Sequence, residues 1–172
     1  STAAEAIEIR EVSHFDDEYD DLWTSARASF ATAVRRDARY LTWKYLRCPF
    51  RQYRILEARA KGTLAGFCVI REEGDPEFPR GVIVDLFCDT SDEPVPDALI
   101  DAALDIFAAD GLVRAETYTM NAVMGRVLGR HGFMAGRTAI QYCVAHHHAS
   151  AAPLARLADW QLVLGDGDLD RG

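Results

Sequence analysis

The sequence lacks long hydrophobic runs and an excess of positive charge. No apolar stretch approaches the roughly 20 residues that span a bilayer, and no signal-peptide pattern is recognisable. The formal net charge is −8, and such a field repels phosphate backbones. We therefore expect a cytoplasmic protein whose partners include neither a membrane nor a nucleic acid.

Cysteine is scarce, and no C-x-x-C pair occurs among Cys48, Cys68, Cys88 and Cys143. This usage predicts reduced, buried thiols, with a zinc site or a disulfide as the alternative. The histidine run 146–148 does not favour a metal site, because adjacent residues of an extended segment point to opposite sides whereas metal ligands converge. We expect no metal.

The chain has the composition of a protein with a packed core. It has 172 residues, of which 49% are hydrophobic and 27% charged, and these values predict one globular domain over residues 1–172. The sequence begins at Ser1 without Met, which leaves open that it is a piece of a longer protein.

The hydrophobic pattern of the first half predicts strands and helices in alternation. Apolar residues with a period of two indicate strands, and a period near 3.6 indicates helices. The predicted strand, two helices and two further strands cover 7–12, 14–29, 38–47, 53–60 and 64–71. Asp37 is suited to cap the second helix, and Lys61-Gly62 predicts a tight hairpin turn between the last two strands.

The second half predicts a helix that crosses between two buried strands. In chain order the predicted elements are strand 81–88, a helix ending at Gly111, strand 112–119, a short helix from Asn121, and strands 139–144 and 160–164. A helical crossover implies a parallel strand pair, whereas the hairpins imply antiparallel pairs. The predicted fold is therefore α/β (α+β), with a mixed, mostly antiparallel sheet of six to seven strands and helices on both faces.

Four segments carry a resemblance to a known superfamily. They are the hairpin EARAKGTLAGFCVIREE, the strand-loop-helix GVIVDLFCDTSDEPVPDALIDAALDIFAADG, the helix NAVMGRVLGRHGF, and RYLTWKYLRCPF together with the ending WQLVLGDGDLD. On these residues the chain resembles the GNAT acetyltransferase superfamily over about 7–164. Within it, the chain is similar to a bacterial subgroup associated with polysaccharide-biosynthesis acyltransferases.

The resemblance implies a cleft for a thioester co-substrate. In this family a parallel strand pair splays apart, and the pantetheine arm of acetyl-CoA pairs with the exposed main chain. By resemblance, Leu86, Phe87 and Cys88 offer those backbone groups, and Asn121 matches a family residue at the cofactor site. The implied activity is transfer of an acyl group from acetyl-CoA to an amine or hydroxyl of a small acceptor, such as an amino sugar.

Three residues are candidates for moving protons. Asp85 interrupts an apolar strand, where desolvation raises the pKa of a carboxyl and suits it to act as a base. Its alternative is a structural carboxylate bound to a neighbour. Glu116, on the adjacent strand, is a second candidate base. Tyr118 is a candidate acid, because Leu128 stands where many family members have a tyrosine; its alternative is a half-buried strand aromatic. Asn121 also has an alternative role, as a helix cap.

The phosphate-binding loop departs from the family pattern. Residues 89–96, DTSDEPVP, contain no Gly and no Arg, and they carry three acidic side chains. This departure favours a second hypothesis, a GNAT-shaped module without catalysis that binds a ligand, holds a homodimer or accompanies a catalytic domain. A third hypothesis is that a protein-bound pantetheine carrier donates the acyl group.

Overall fold

The computed structural model describes residues 6–74, 76–136 and 156–166. Its strands are β1 (Glu8–Val12), β2 (Thr32–Ala33), β3 (Arg54–Ala60), β4 (Thr63–Glu73), β5 (Arg80–Cys88), β6 (Arg114–Thr117) and β7 (Trp160–Gln161). Its helices are α1 (Glu18–Ala26), α2 (Ala38–Leu41), α3 (Pro94–Ala109) and α4 (Ala122–Arg130). A π-helical turn at Thr42–Leu46 extends α2, and 3-10 turns lie at Arg27–Ser29, Leu157–Asp159 and Leu164–Asp166.

A mixed sheet with the order β1-β3-β4-β5-β6 forms the centre of the protein. Only β5 and β6 are parallel to each other, and the other neighbours are antiparallel. The predicted fold class is therefore confirmed, with five strands in this sheet among the described residues. A separate parallel pair, β2 with β7, was not predicted. The predicted strand 139–144 lies outside the described residues.

Local chemistry accounts for several element boundaries. The Asp37 carboxylate accepts a hydrogen bond of 2.7 Å from the Tyr40 amide, so it caps α2 as predicted. Lys61 and Gly62 have φ values of 52° and 82°, which suits a two-residue hairpin turn with left-handed residues. The first helix begins at Glu18, later than predicted, and Asp16 accepts a hydrogen bond from the Glu18 amide.

Strand β6 is shorter than the predicted strand 112–119. The amides of Leu112 and Val113 donate to the carbonyls of Phe107 and Pro79, so these residues belong to the turn that enters the strand. At the other end, Thr119 pairs antiparallel with Val163 instead of continuing along β5. The parallel pair is therefore brief.

Helices cover both faces of the sheet, as predicted. Helices α3 and α4 bury apolar side chains against one face, including Leu99, Ile100 and Met124. Helices α1 and α2 cover the other face with an aromatic-rich cluster that includes Tyr19 and Phe67. No helix among the described residues combines the length and apolar character that crossing a bilayer requires.

Close packing under α3 generates a stability prediction. Gly81 is buried in β5, and a Cβ at this position would overlap the ring of Phe107, which is 4% exposed. We expect Gly81→Ala to lower the free energy of unfolding by about 1–3 kcal/mol, because the ring must shift within a filled core. Urea denaturation measures this change.

Gly125→Ala is the matched control for that experiment. No atom lies within 4 Å of a Cβ built at Gly125, on the exposed side of α4. The same substitution should therefore raise the free energy of unfolding by about 0.5–1 kcal/mol through helix propensity. Equal effects at the two glycines would contradict the packing argument.

Candidate active site

The parallel strands β5 and β6 separate halfway along β5. Their pairing runs from Arg80 opposite Arg114 to Ile83 opposite Thr117, where the Thr117 hydroxyl donates 3.0 Å to the Ile83 carbonyl. Residues 84–88 have no partner on β6. At the same point Val84 is an extra residue in the register between β4 and β5. Such a bulge bends a strand and increases its twist, so β5 turns away from β6 here.

Residues 161–165 run beside the unpaired half of β5. The Gln161 side-chain amide donates a hydrogen bond of 2.6 Å to the Leu86 carbonyl. A Cβ at Gly165 would overlap the Tyr45 hydroxyl and lie 3.3 Å from the Val84 carbonyl oxygen, so the main chain passes close to both. The oxygen of the Gln161 side chain is buried without a hydrogen-bond partner among the described residues. The edge of β5 is thus partly covered.

One cavity of about 520 Å³ lies at the carboxyl end of β5. Thr90 from the loop after β5, Asn121 and Arg126 from the start of α4, and Arg156 contribute to its walls. The Asn121 side chain accepts hydrogen bonds from the amides of Val123 and Met124 at 2.9 and 3.1 Å, so it caps α4. The cap orders the helix end that borders the cavity.

The loop after β5 is held together by Asp89. Its carboxylate accepts hydrogen bonds from the Ser29 hydroxyl at 2.7 Å and from the amide and hydroxyl of Ser91 at 2.9 and 2.8 Å. Burial acts to raise the pKa of Asp89, but these hydrogen bonds outweigh it and lower the pKa. The amides of Asp92 and Val95 also donate within the loop. Few amides of this loop remain to bind a phosphate.

A second cavity, of about 220 Å³, lies at the other end of the strand pair. Glu116, Tyr118, Arg80 and Leu164 contribute to its walls. The Glu116 carboxylate lies 3.3 Å from Nε of Arg80 and 2.9 Å from a guanidinium nitrogen of Arg114. Partial burial raises the pKa of the Tyr118 hydroxyl. Two of the predicted catalytic residues therefore share one cavity.

The third, Asp85, lies in a buried ionic network. Its carboxylate accepts hydrogen bonds from Nε of Arg36 at 3.0 and 3.1 Å and from the Tyr45 hydroxyl at 2.9 Å. Arg36 also donates to Asp166 at 2.8 Å, and Asp166 accepts from the Val163 amide at 3.0 Å. Arg36 is 0% and Asp85 1% exposed. The network joins α2, β5 and residues 163–166.

Burial and opposite charges act against each other in this network. Desolvation raises the pKa of Asp85, and Arg36 opposes that shift. Desolvation acts to lower the pKa of Arg36, but Asp85 and Asp166 raise it overall. Desolvation, reinforced by Asp85, raises the pKa of Tyr45. Arg36 is thus a fixed cation and Tyr45 a fixed donor at neutral pH.

The backbone groups predicted for the pantetheine arm lie in a crowded part of the structure. The Leu86 carbonyl is bound by Gln161, while the side chains of Phe87 and Cys88 are 0% exposed. The thiols of Cys68 and Cys88 are free, and burial raises the pKa of each. The described residues contain no cluster of three potential metal ligands.

Sequence reasoning missed Arg36, Asp166 and Gln161. Nothing in the local sequence distinguishes Arg36 from Arg35, yet Arg35 pairs with Asp37 at the surface while Arg36 is enclosed. Asp166 and Gln161 act on β5 from distant positions in the chain, so no spacing pattern relates them to it. Asp85, interrupting its apolar strand, was the only signal of a buried polar cluster.

Comparison with solved structures finds acetyltransferases. An aminoglycoside N-acetyltransferase, AAC(6')-Iy, in complex with CoA matches with a TM-score of 0.55 and 16% identity, over 84% of this chain and 98% of that one. A ribosomal-protein-alanine N-acetyltransferase from Brucella melitensis biovar Abortus 2308 matches with a TM-score of 0.54 and 17% identity, over 83% and 100%.

An aminoglycoside acetyltransferase from an uncultured soil metagenomic sample, in complex with sisomicin, gives a TM-score of 0.53 and 15% identity, over 82% of this chain and 97% of that one. No protein-family model matches the chain, and no curated protein matches it either. The chain has the GNAT acetyltransferase fold.

The buried network generates a second stability prediction. Arg36→Met leaves the carboxylates of Asp85 and Asp166 buried without their cation, so we expect the free energy of unfolding to fall by about 3–5 kcal/mol. Adding Asp85→Leu to this variant removes one stranded charge and should restore part of the loss. Chemical denaturation of both variants checks this.

Arg10→Met is the control, because Arg10 forms an exposed ion pair with Glu8. It should have little effect on stability. If Arg36→Met unfolds at the same denaturant concentration as Arg10→Met, the network does not stabilise the fold.

Proposed function

We propose that this protein is an acyl-CoA-dependent acyltransferase that acts on an amine or hydroxyl of a small acceptor. The observation that carries the proposal is the separation of β5 from β6, with a cavity at each end of the strand pair. In this proposal the donor enters through one cavity and the acceptor through the other. The GNAT fold supports it, since one neighbour of similar structure is in complex with CoA.

The larger cavity is the proposed donor side. Amides of the loop after β5 donate hydrogen bonds within the loop, so side chains would have to bind the phosphates of acetyl-CoA. Arg126 and Arg156 border this cavity, and guanidinium groups bind phosphate oxygens with paired hydrogen bonds. Arg126 forms no ion pair with another described residue, whereas Arg156 lies 3.1 Å from Asp159.

The smaller cavity is the proposed acceptor side. The acceptor nucleophile attacks the thioester carbonyl, the new bond forms as the C–S bond breaks, and the proton of the nucleophile passes to a base. Glu116 is the proposed base, because its carboxylate borders this cavity together with Tyr118. Tyr118 is the proposed acid for the leaving thiolate, because it borders the same cavity as Glu116 and a tyrosine hydroxyl is protonated at neutral pH.

Asp85 has a different role in this proposal. Its carboxyl is enclosed by Arg36 and Tyr45 and faces neither cavity. Through Arg36 it holds Asp166, and Leu164 of the same turn borders the acceptor cavity. We therefore propose that Asp85 positions the wall of the cleft. Direct proton transfer by Asp85 stays a prediction, which a variant at Asp85 would test.

A specific contact favours a second candidate function. The Gln161 side chain binds the Leu86 carbonyl, where a pantetheine arm would pair. A protein that binds a ligand without catalysis would keep this contact, whereas an acyltransferase must displace it. An acyl-carrier donor is a further possibility for the same cleft, since it would need less grip on nucleotide phosphates.

Binding of acetyl-CoA is the first test. Acetyl-CoA should raise the stability of the protein by linkage, by about 2.7 kcal/mol at 100 times Kd, and a thermal melt reports this as a higher Tm. Arg126→Gln should weaken binding by about tenfold or more, as expected for loss of a charge-assisted hydrogen bond. Arg10→Gln, with the same change in net charge, should not. Absence of any shift with millimolar acetyl-CoA would exclude a free acyl-CoA donor.

Release of free thiol from acetyl-CoA is the second test. Across a panel of amines and amino sugars, we expect thiol release that Glu116→Gln lowers by about 10²–10⁴-fold, the usual contribution of a general base. Tyr118→Phe should also lower kcat, and Glu8→Gln should not. If acetyl-CoA binds but no acceptor causes thiol release, the result supports the non-catalytic module. If acyl transfer occurs only from a protein-bound pantetheine carrier, that carrier is the donor.

A further inference from the structure

A concave surface around Trp43 lies apart from both cavities of the cleft. Trp43, Phe50 and Tyr53 line a depression of about 210 Å³ together with Lys44 and Arg47. Trp43 is 52% and Phe50 80% exposed. Large aromatic side chains exposed together at a concave surface are unusual in a soluble protein and mark a binding site.

The same surface carries cations that are not neutralised. Among the described residues no carboxylate forms an ion pair with Arg39, Lys44 or Arg47. Elsewhere in the described chain most arginines do pair with an acid, as Arg59 does with Glu57. Arg39, Lys44 and Arg47 thus give this surface three cations without an ion-pair partner among the described residues, in a chain of net charge −8.

Helical spacing places the two kinds of side chain together. Arg39, Trp43 and Arg47 are each four residues apart along α2 and its π-helical extension, so they lie near one another on the surface. A second depression on the other side of the indole is lined by Arg39 and Thr42 and shares Trp43 and Arg47 with the first. The indole thus stands between two basic walls.

We infer that this surface, lined by Trp43, Arg39, Arg47, Lys44, Phe50 and Tyr53, binds an anionic monosaccharide, a sugar ring that carries a phosphate or a carboxylate. Aromatic faces offer an apolar platform for the C–H face of a sugar ring. Guanidinium groups bind phosphate or carboxylate oxygens in pairs. The depression beside Phe50, of about 210 Å³, is smaller than the roughly 300–1,000 Å³ of pockets for drug-sized ligands, so a single ring suits it. The adjoining depression beside Arg39 measures about 460 Å³ and leaves room for the anionic group.

The surface is separate from the cleft, since none of the residues that line the depression borders either cavity of the cleft. The inference concerns binding only, and it does not depend on acyl transfer.

Direct binding tests the inference. Titration calorimetry and tryptophan fluorescence with glucose 6-phosphate and with glucuronate should show binding, and the two probes distinguish phosphate from carboxylate as the preferred anion. Neutral glucose should bind at least about tenfold more weakly, since it lacks charge-assisted hydrogen bonds. Arg47→Gln should weaken binding of the anionic probe by a similar factor, and Trp43→Ala should remove both binding and the fluorescence change.

Arg10→Gln is the matched control, because it makes the same charge change at an exposed arginine of β1. The inference is overturned if neither anion binds at millimolar concentration, if glucose binds as tightly, or if Arg10→Gln weakens binding as much as Arg47→Gln. It is also overturned if the cationic aminoglycoside sisomicin binds more tightly than the anionic sugars. Binding to anionic lipid vesicles that requires Trp43, without binding of either sugar, would assign the surface to a membrane instead.

Discussion

One buried guanidinium needs partners inside the protein, and these partners join the segments of the chain that border the cleft. Arg36 has no contact with solvent, so its donors must be satisfied inside the protein, and the charge must be balanced there. Asp85, Asp166 and the Val34 carbonyl meet that need from three separate parts of the chain. Removing Arg36 would leave two buried carboxylates without their cation, so this one side chain joins β5 to residues 163–166.

The shape of the cleft follows from two local features of the backbone. The extra residue Val84 shifts the register between β4 and β5, and the pairing of β5 with β6 stops at Ile83. Within the described part of the chain, the carboxyl half of β5 therefore has an edge without a neighbouring strand, which residues 161–165 approach. In an acyltransferase a thioester arm would pair with that edge, whereas in a binding module the Gln161 side chain would stay there. This is the physical difference between the two candidate functions.

Charge is distributed unevenly over this acidic protein. Most acidic side chains of the described residues that border the cleft are already bound: Asp89 by serines, Glu116 by arginines. Among the described residues, Arg39, Lys44 and Arg47 beside Trp43 and Arg126 at the larger cavity form no ion pair. A net charge of −8 thus does not describe the surfaces on which ligands are proposed to bind. The cations close to each surface are the basis for the proposed preference for anionic ligands.

The sequence by itself determined the order of the elements in the central sheet and its covering helices, the capping of α2 by Asp37, the hairpin turn at Lys61-Gly62 and the parallel pairing of β5 with β6. These follow from hydrophobic period, turn chemistry and crossover rules, all of which act between residues close in the chain. It also singled out Asp85 as a polar residue in an apolar strand.

Only the tertiary structure decided what Asp85 binds and where the strand pair ends. Arg36 lies 49 residues before Asp85 and Asp166 81 residues after it, so no local pattern relates them, and their pairing arises from the folding of distant segments onto one strand. The same holds for Gln161, and for Trp43, whose exposure depends on which face of the π-helical turn the core leaves uncovered. Long-range contacts of this kind depend on the whole fold, whereas the elements themselves depend mainly on their own residues.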